Sequence, residues 1–258
     1  MNGRVQAVER SIDILASLAG GPRNLTEIAR VTNLSKATAF RLLASLGHRS
    51  LVVKDSSTNQ YMLGPGCLQL LEGVMSGLGA VAASGRSILQ RLVQETGETV
   101  TIHIKLGNQR VCIEEIPSPQ PIRYTSSVGA TAPLHVGAAG KVLMAFMDEA
   151  ERTKALRGLS LEAMKPNTIV DRDALVPELH LVRRQGYATS QGERIPGAAA
   201  ISVPVQAGDM HAVLSILGPE SRLPKRRLLE LLPVLRKAAA ELEATFSSQE
   251  APAKVAEV

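Results

Sequence analysis

The sequence predicts an α+β chain in two parts. A small helical module closed by a two-stranded wing is joined by a linker helix to a larger domain of hairpins and helices with a mostly antiparallel sheet. Three observations carry this. Between Val8 and Leu46, apolar residues recur at helical spacing and are interrupted by Gly20-Gly21-Pro22 and by a short polar hinge. From about residue 84 onward, runs alternating with period two are mixed with helical runs. The charge is also divided unevenly: residues 1–64 hold eight Lys/Arg against four Asp/Glu, which is +4 of the whole chain's +5. A basic module ahead of a near-neutral domain is the charge pattern of a nucleic-acid binder that carries a second module.

The elements of the first part follow from spacing and caps. Val8, Ile12, Leu15 and Ala19 form the apolar stripe of a first helix, stopped by Gly20-Gly21-Pro22. A short second helix begins near Thr26, with Leu25, Ile28 and Ala29 apolar and Glu27 at its positive end. Asn33-Leu34-Ser35 is the hinge, and Ser35 caps a third helix whose apolar face is Ala39, Leu42, Leu43 and Leu46. So short a hinge forces the second and third helices to cross steeply, which is helix-turn-helix geometry. Lys36, Ala37, Thr38, Arg41 and Ser45 then point outward.

That outward face suits a major groove. Arg41 can bond bidentately to guanine, Thr38 can offer a hydroxyl or a methyl to a base edge, and Lys36 with the free amides of the helix start can hold phosphate. Leu51–Lys54 and Gln60–Leu63 read as the two strands of the wing around a polar turn, with Lys54 directed at the DNA backbone. The candidate DNA-contact residues are therefore Thr26, Ser35, Lys36, Thr38, Arg41 and Lys54. The domain reading is 1–64 for this module, 65–83 for the linker helix (Leu68, Leu71, Met75 and Leu78 in a stripe weakened by Gly73, Gly77 and Gly79), 84–247 for the larger domain, and 248–258 for a frayed tail.

In the larger domain, helices are expected over Ser84–Gln94, Ala138–Phe146, Asp148–Arg157, Arg172–Gln185 and Pro224–Ser247, with kinks or later starts at Pro177 and Pro233. Strands are expected over Thr99–Lys105, Arg110–Ile116, Ile122–Thr125, Gly186–Gln191, Ala198–Val205 and His211–Leu217, with Gly208-Asp209 as a hairpin turn. In the first strand, Val100, Ile102 and Ile104 face inward and Thr101, His103 and Lys105 outward. Composition excludes some classes. With three Phe, three Tyr and no Trp, a base-stacking platform for single strands lacks its aromatic faces. Cys67 and Cys112 have neither metal nor disulfide spacing and suit a reducing cytoplasm. No signal peptide and no membrane-spanning run are legible, so no membrane partner is expected.

Three later segments narrow the reading: VGATAPLHVGAAGKVLMAF (128–146), GYATSQGERIPGAAAISVPV (186–205) and AVLSILGPESRL (212–223). Together with the first module, over about residues 4–247, they resemble the IclR family of bacterial transcriptional regulators. The resemblance implies a winged helix-turn-helix domain, a linker helix and a GAF-like effector-binding domain with a mostly antiparallel sheet. It also implies a homodimer or homotetramer on palindromic double-stranded operator DNA, and control by a small metabolite.

The 128–146 segment also has its own physical reading. Gly129 and Pro133 shape a loop, and Ala138-Ala139-Gly140 opens a helix whose small side chains leave backbone N–H groups uncovered, a site suited to a carboxylate. Gly140-Lys141 imitates a phosphate-binding loop, but His135 stands where that motif needs Gly and Val142 where it needs Ser or Thr. The family's effector contacts map onto Ala138 and Ala139, onto Ser190 where many relatives carry an acid, onto Ala200 where some carry Cys, and onto Ser215. Leu217 replaces a polar residue. Tyr124 with Ile122 lines the facing strand, and Gly129 completes the set. These departures imply a less acidic pocket with one apolar side, suited to a carboxylate with a larger or more apolar body, such as an aromatic acid or a sugar-acid derivative. The alternative is a small-molecule enzyme with a fused helical module. His135, Cys112 and several serines are its raw material, but no G-x-S-x-G, H-E-x-x-H, C-x-x-C or complete dinucleotide fingerprint is present. No catalytic residue, metal ligand or cofactor is assigned, and His135 reads as structural or ligand-orienting.

Overall fold

The computed structural model describes residues 5–75, 79–207 and 210–249, and it divides into two compact units, residues 1–79 and 80–258. The first unit runs α1 (Gln6–Leu18), α2 (Leu25–Val31), α3 (Lys36–His48), β1 (Val52–Lys54), β2 (Tyr61–Leu63) and α4 (Gly66–Met75). Its core is Ile14, Leu18, Ile28, Ala29, Ala39, Leu43, Leu46, Val52 and Tyr61. The helix starts are fixed by side-chain caps. Asn24 Oδ1 accepts the Glu27 N–H at 3.0 Å while Glu27 Oε2 accepts the Asn24 N–H at 2.9 Å, a reciprocal box that starts α2 at Leu25. Ser35 Oγ accepts the Thr38 N–H at 3.2 Å and caps α3. Between them Asn33 adopts φ 53°, the left-handed turn that a short Asn side chain tolerates, and the chain reverses within three residues.

One expectation about α1 is corrected. The stripe that meets the core is Ile14 and Leu18 with Leu15 beside them, whereas Val8 and Ile12 are 55% and 58% exposed. The helix carries apolar residues on two faces, and α2 and α3 cover only one of them. The wing forms as expected, β1 pairing antiparallel with β2 in the register Val52↔Leu63 and Lys54↔Tyr61. Arg23 exchanges backbone hydrogen bonds with Tyr61 at 3.0 and 2.7 Å and so adds a third extended segment. Gly64 closes the wing because a Cβ there would lie 2.3 Å from the Ser50 carbonyl oxygen.

The second unit contains α5 (Gly79–Thr96), β3 (Thr99–Leu106), β4 (Gln109–Ile116), β5 (Thr131–Pro133), α6 (Gly137–Phe146), α7 (Glu149–Gly158), α8 (Arg172–Gln185), β6 (Ala188–Gln191), β7 (Ala198–Ala207), β8 (Met210–Pro219), α9 (Lys225–Glu230) and α10 (Leu232–Gln249). Its six strands form one antiparallel sheet in the order β5-β4-β3-β8-β7-β6. The central pairing of β3 with β8, from Thr99↔Leu217 to Ile104↔Ala212, joins the two hairpin systems. On one face α6 packs against the sheet and α8 packs on α6, and their shared core includes Leu134, Val142, Leu143, Met144, Leu175, Leu179 and Val182. On the other face α10 packs against β7 and β8, and α5 lies close to both α10 and β3. A Cβ on Gly85 would meet Leu242 at 2.9 Å and Ile102 at 3.4 Å.

Covering both faces changes the reading of β3. Thr101 and His103, expected to face outward, are buried beneath the α6 side. Ile122–Thr125, expected as a strand, is unpaired extended chain among Pro117, Pro119 and Pro121, and the outermost strand is Thr131–Pro133 instead. A proline has no N–H to give a ladder, which fits Pro133 at a sheet edge. Pro177 lies within a continuous α8, while the expected C-terminal helix divides at Leu231 into α9 and α10, with Pro233 in the first turn of the latter. The linker reading at 76–78, the turn at 208–209 and most of the tail lie outside the described residues.

Candidate functional site

The first unit presents a basic face built on α3. Lys36, Ala37, Arg41 and Ser45 are exposed, and Thr38 is half-buried with its Oγ1 accepting from Ser35 Oγ at 2.9 Å. Among the described residues, no carboxylate pairs with Lys36 or Arg41, so both are available to an external anion. Lys54 is exposed on the wing with its ammonium 5.7 Å from the centre of the Tyr61 ring, and Thr26 is exposed at the start of α2. Gln6, Ala7 and Arg10 of α1 line one recess with Thr38, Phe40, Arg41 and Ser45. Phe40 was not singled out from the sequence. It is 55% exposed on α3, a large apolar side chain beside the hydroxyl and guanidinium of the same helix face. The wing turn is tied by Asp55, whose Oδ1 accepts the Ser57 N–H and hydroxyl, both at 2.7 Å. The Ser57 hydroxyl, then the Ser57 and Thr58 bonds, hold its carboxyl down to about 2.

In the second unit a cavity of about 50 Å³ opens between the N-terminal end of α6 and the curled sheet. Its polar wall is Thr101, His103, Arg110, Ser126 and Arg194; its apolar wall includes Ile195, Ala198, Ala199 and Leu217. The N-cap of α6 is Val136, which has no side chain to offer the helix start, so the first-turn N–H groups look for other partners. Glu193 supplies one, its Oε2 accepting the Gly137 N–H at 2.8 Å. The same carboxylate takes the buried Lys141 ammonium at 2.8 Å on Oε1, and Lys141 also donates to the Thr189 carbonyl oxygen at 2.8 Å. Lys141 therefore ties the 189–193 segment to α6, a structural task unlike that of a phosphate-loop lysine.

Arg110 is the unusual member. It is 6% exposed, reaches the helix start (a Cβ on Gly137 would lie 3.7 Å from its Nη2), and its Nε is buried without a hydrogen-bond partner. Burial and then the nearby Arg194 push its guanidinium down to about 10, which leaves it a cation at neutral pH. His103 bridges the polar wall, Nδ1 against Thr101 Oγ1 and Nε2 against Ser126 Oγ, each at 3.3 Å. Burial, then repulsion from Arg110 and Arg194, hold it well below the ordinary imidazole range, so it is neutral. Ser126 Oγ also accepts from Arg194 Nη1 at 3.0 Å. Deeper in the cavity Ser202 Oγ and Ser215 Oγ share a hydrogen bond of 2.7 Å.

Two domain models match this chain: the IclR helix-turn-helix domain over residues 7–56 and the bacterial transcriptional regulator IclR C-terminal domain over residues 77–244. The chain belongs to the IclR family. It is similar to the HTH-type transcriptional regulator BhcR of Paracoccus denitrificans, with 32% identity over 244 residues, 93% of this chain and 87% of that protein. The crystal structure of Thermotoga maritima IclR shares the fold at a TM-score of 0.76 and 25% identity, over 94% of this chain and 99% of that one. An IclR homolog from Microbacterium hydrocarbonoxydans, solved in complex with 4-hydroxybenzoate, shares it at a TM-score of 0.72 and 20% identity, over 94% of this chain and 100% of that one. This IclR-family chain is a DNA-binding transcriptional regulator and not an enzyme. No helix among the described residues is long and apolar enough to cross a membrane.

Within this IclR-family frame, Ala138, Ala139, Ser190, Ala200, Ser215 and Leu217 all line the one cavity. Tyr124 and Gly129 do not. Tyr124 donates its hydroxyl to the Pro196 carbonyl oxygen at 2.9 Å, and Gly129 forms a turn at φ 83°. Ile122, expected beside Tyr124, is 73% exposed. His135 is buried outside the cavity and donates Nε2–H to the Glu162 carbonyl oxygen at 3.1 Å, a structural role. Sequence reasoning missed Thr101, His103, Arg110, Ser126 and Arg194. For the first two a signal existed, because the chain has enough helices to cover both faces of the sheet. Arg110 follows a Gly107-Asn108 turn and looks like any solvated hairpin cation.

Proposed function

We propose that this regulator binds operator DNA through residues 1–64 and is controlled by a small carboxylate held in the cavity of residues 84–247, with 65–83 joining the two. The observation that carries the proposal is Arg110. Leaving a buried guanidinium without an acceptor costs free energy, and a bound carboxylate would offset that cost with charge-assisted hydrogen bonds. The first-turn amides of Ala138 and Ala139, beside Arg110, add donors and the positive end of the α6 dipole. Ser190 and Ser215 offer hydroxyls, and Leu217 and Ala200 give the apolar side. That a related fold was solved with 4-hydroxybenzoate bound supports an organic carboxylate as the class. Arg41 and Thr38 read base edges and Lys36 and Lys54 hold phosphate. A homodimer or homotetramer would present two such modules to a palindromic site.

An effector can shift operator affinity only by its differential affinity for two arrangements of the protein. The test is fluorescence anisotropy of the full chain on DNA flanking its own gene, with and without a panel of organic acids. A change in operator affinity with at least one acid, lost in Arg110→Met, is the expected result. Operator binding that no acid alters would refute the carboxylate control, and absence of specific DNA binding would refute the assignment of the 1–64 face.

A further inference from the structure

The geometry points to an effector with two anionic groups: a short-chain dicarboxylate, one carboxylate on Arg110 and the Ala138 and Ala139 amides at the depth of the cavity, the other on Arg194 at its rim. This rests on the carboxylate reading above and sharpens it. Two guanidiniums line the cavity, and among the described residues neither has a carboxylate partner. Arg110 has an orphaned Nε, and Arg194 is bound through Nη1 only to the Ser126 hydroxyl. The one acid that lines the cavity, Glu193, is already engaged with the Gly137 N–H and with Lys141. Lys141 also pairs with Glu178 at 3.4 Å, so Glu193 acts on Arg110 as well, and the lining still holds two guanidiniums against one carboxylate. A monocarboxylate would compensate one guanidinium and leave the other beside it without a counter-charge.

A neutral group lies near both cations. His103 lies within electrostatic reach of both Arg110 and Arg194, is held uncharged by burial and by both of them, and shares Ser126 with Arg194. Thr101, His103 and Ser126 therefore offer uncharged hydrogen-bond partners in the cavity that both guanidiniums line, which suits a short chain with a carboxylate at each end. Arg110 is deep and nearly inaccessible, while Arg194 is half-exposed, so the first end is fully desolvated and the second is not.

The test compares malonate, succinate and glutarate with propanoate, butyrate and pentanoate, by calorimetry and thermal melts on the full chain at matched ionic strength. At least one dicarboxylate should bind tenfold or more tightly than the monocarboxylate of equal carbon count. Arg194→Gln should bring the two to within about threefold of each other, chiefly by weakening the dicarboxylate. Arg110→Met should abolish binding of both without lowering the melting temperature of the ligand-free protein, because it removes a cation that has no acceptor. Should Arg110→Met fail to fold, Arg110→Lys, which keeps the charge, should retain weakened binding of both classes. Monocarboxylates binding as tightly as dicarboxylates, with no effect of Arg194→Gln, would overturn the dianion and leave the carboxylate reading standing. Binding by neither class, or binding insensitive to both Arg110 variants, would overturn both.

Discussion

Gly140→Ala tests why the start of α6 is built from small residues. A Cβ at position 140 would lie 2.0 Å from the Leu134 carbonyl oxygen and 2.8 Å from its carbon, both backbone atoms that no rotamer change can move. Ordinary contact is above 3 Å, so α6 and the β5–α6 connection must separate by roughly 1 Å. Residues 137–145 of α6 are all buried, so that movement has to be absorbed by the core beneath α8 and the sheet. Forcing an extra methyl into a packed core costs about 1–3 kcal/mol, and here the obstacle is backbone, which favours the upper end. Against this, Ala gains about 1 kcal/mol over Gly in helix propensity. The net is about 2 kcal/mol of destabilisation, or roughly 4–8 °C in melting temperature for a domain of this size. Differential scanning calorimetry of the full chain measures it. The loss should fall on the second unit and leave operator binding by the first unit intact, while acid binding weakens because the Ala138 and Ala139 amides move. An unchanged or higher melting temperature would mean that the carbonyl approach is not what selects glycine, and the reasoning would fail.

Two other outcomes are expected. Arg41→Ala should cost about 1–3 kcal/mol of specific operator binding and relax base preference at one position per half-site, whereas Lys36→Ala should weaken specific and non-specific binding alike and reduce the salt slope by about one. Competition binding against scrambled DNA at several salt concentrations separates the two, and an unchanged specificity ratio in Arg41→Ala would remove α3 from the recognition role. Cys112 is buried, and burial together with Glu115 pushes its thiol from the ordinary 9.0 up to about 12. The folded state therefore disfavours its thiolate, and the corresponding stability, complete below pH 9, is lost as pH rises toward 12. Iodoacetamide at pH 8.5 should label the half-buried Cys67 in the native protein and Cys112 only after unfolding; equal rates at the two would contradict its burial.

Legibility in the sequence tracked how local each feature is. The caps at Ser35, the Gly20-Gly21-Pro22 stop and the wing turn are decided within a few residues, and the first unit was read nearly whole. The stripe of Val8, Ile12, Leu15 and Ala19 differs from the face that is buried because α1 has apolar residues on two faces and spacing alone does not say which one a neighbour covers. In the second unit, the strand pairs around tight turns are legible, but Ile122–Thr125 satisfies strand composition without having a neighbouring strand to bond. The small-residue helix start was found, yet its tightest glycine is set by the distance to Leu134 rather than by an uncovered amide. Arg110 was invisible because it becomes unusual only when the curled sheet brings it to α6 and leaves its guanidinium without an acceptor.

The regulatory claim is most directly tested by calorimetric titration of an acid that binds the cavity, performed on the full chain with and without saturating operator DNA. Operator should change the acid's dissociation constant, and by the same factor as the acid changes operator affinity, since the coupling free energy between two sites is reciprocal. An acid whose binding requires Arg110 but whose affinity is identical in the two titrations would contradict the claim, even with the cavity confirmed as its site.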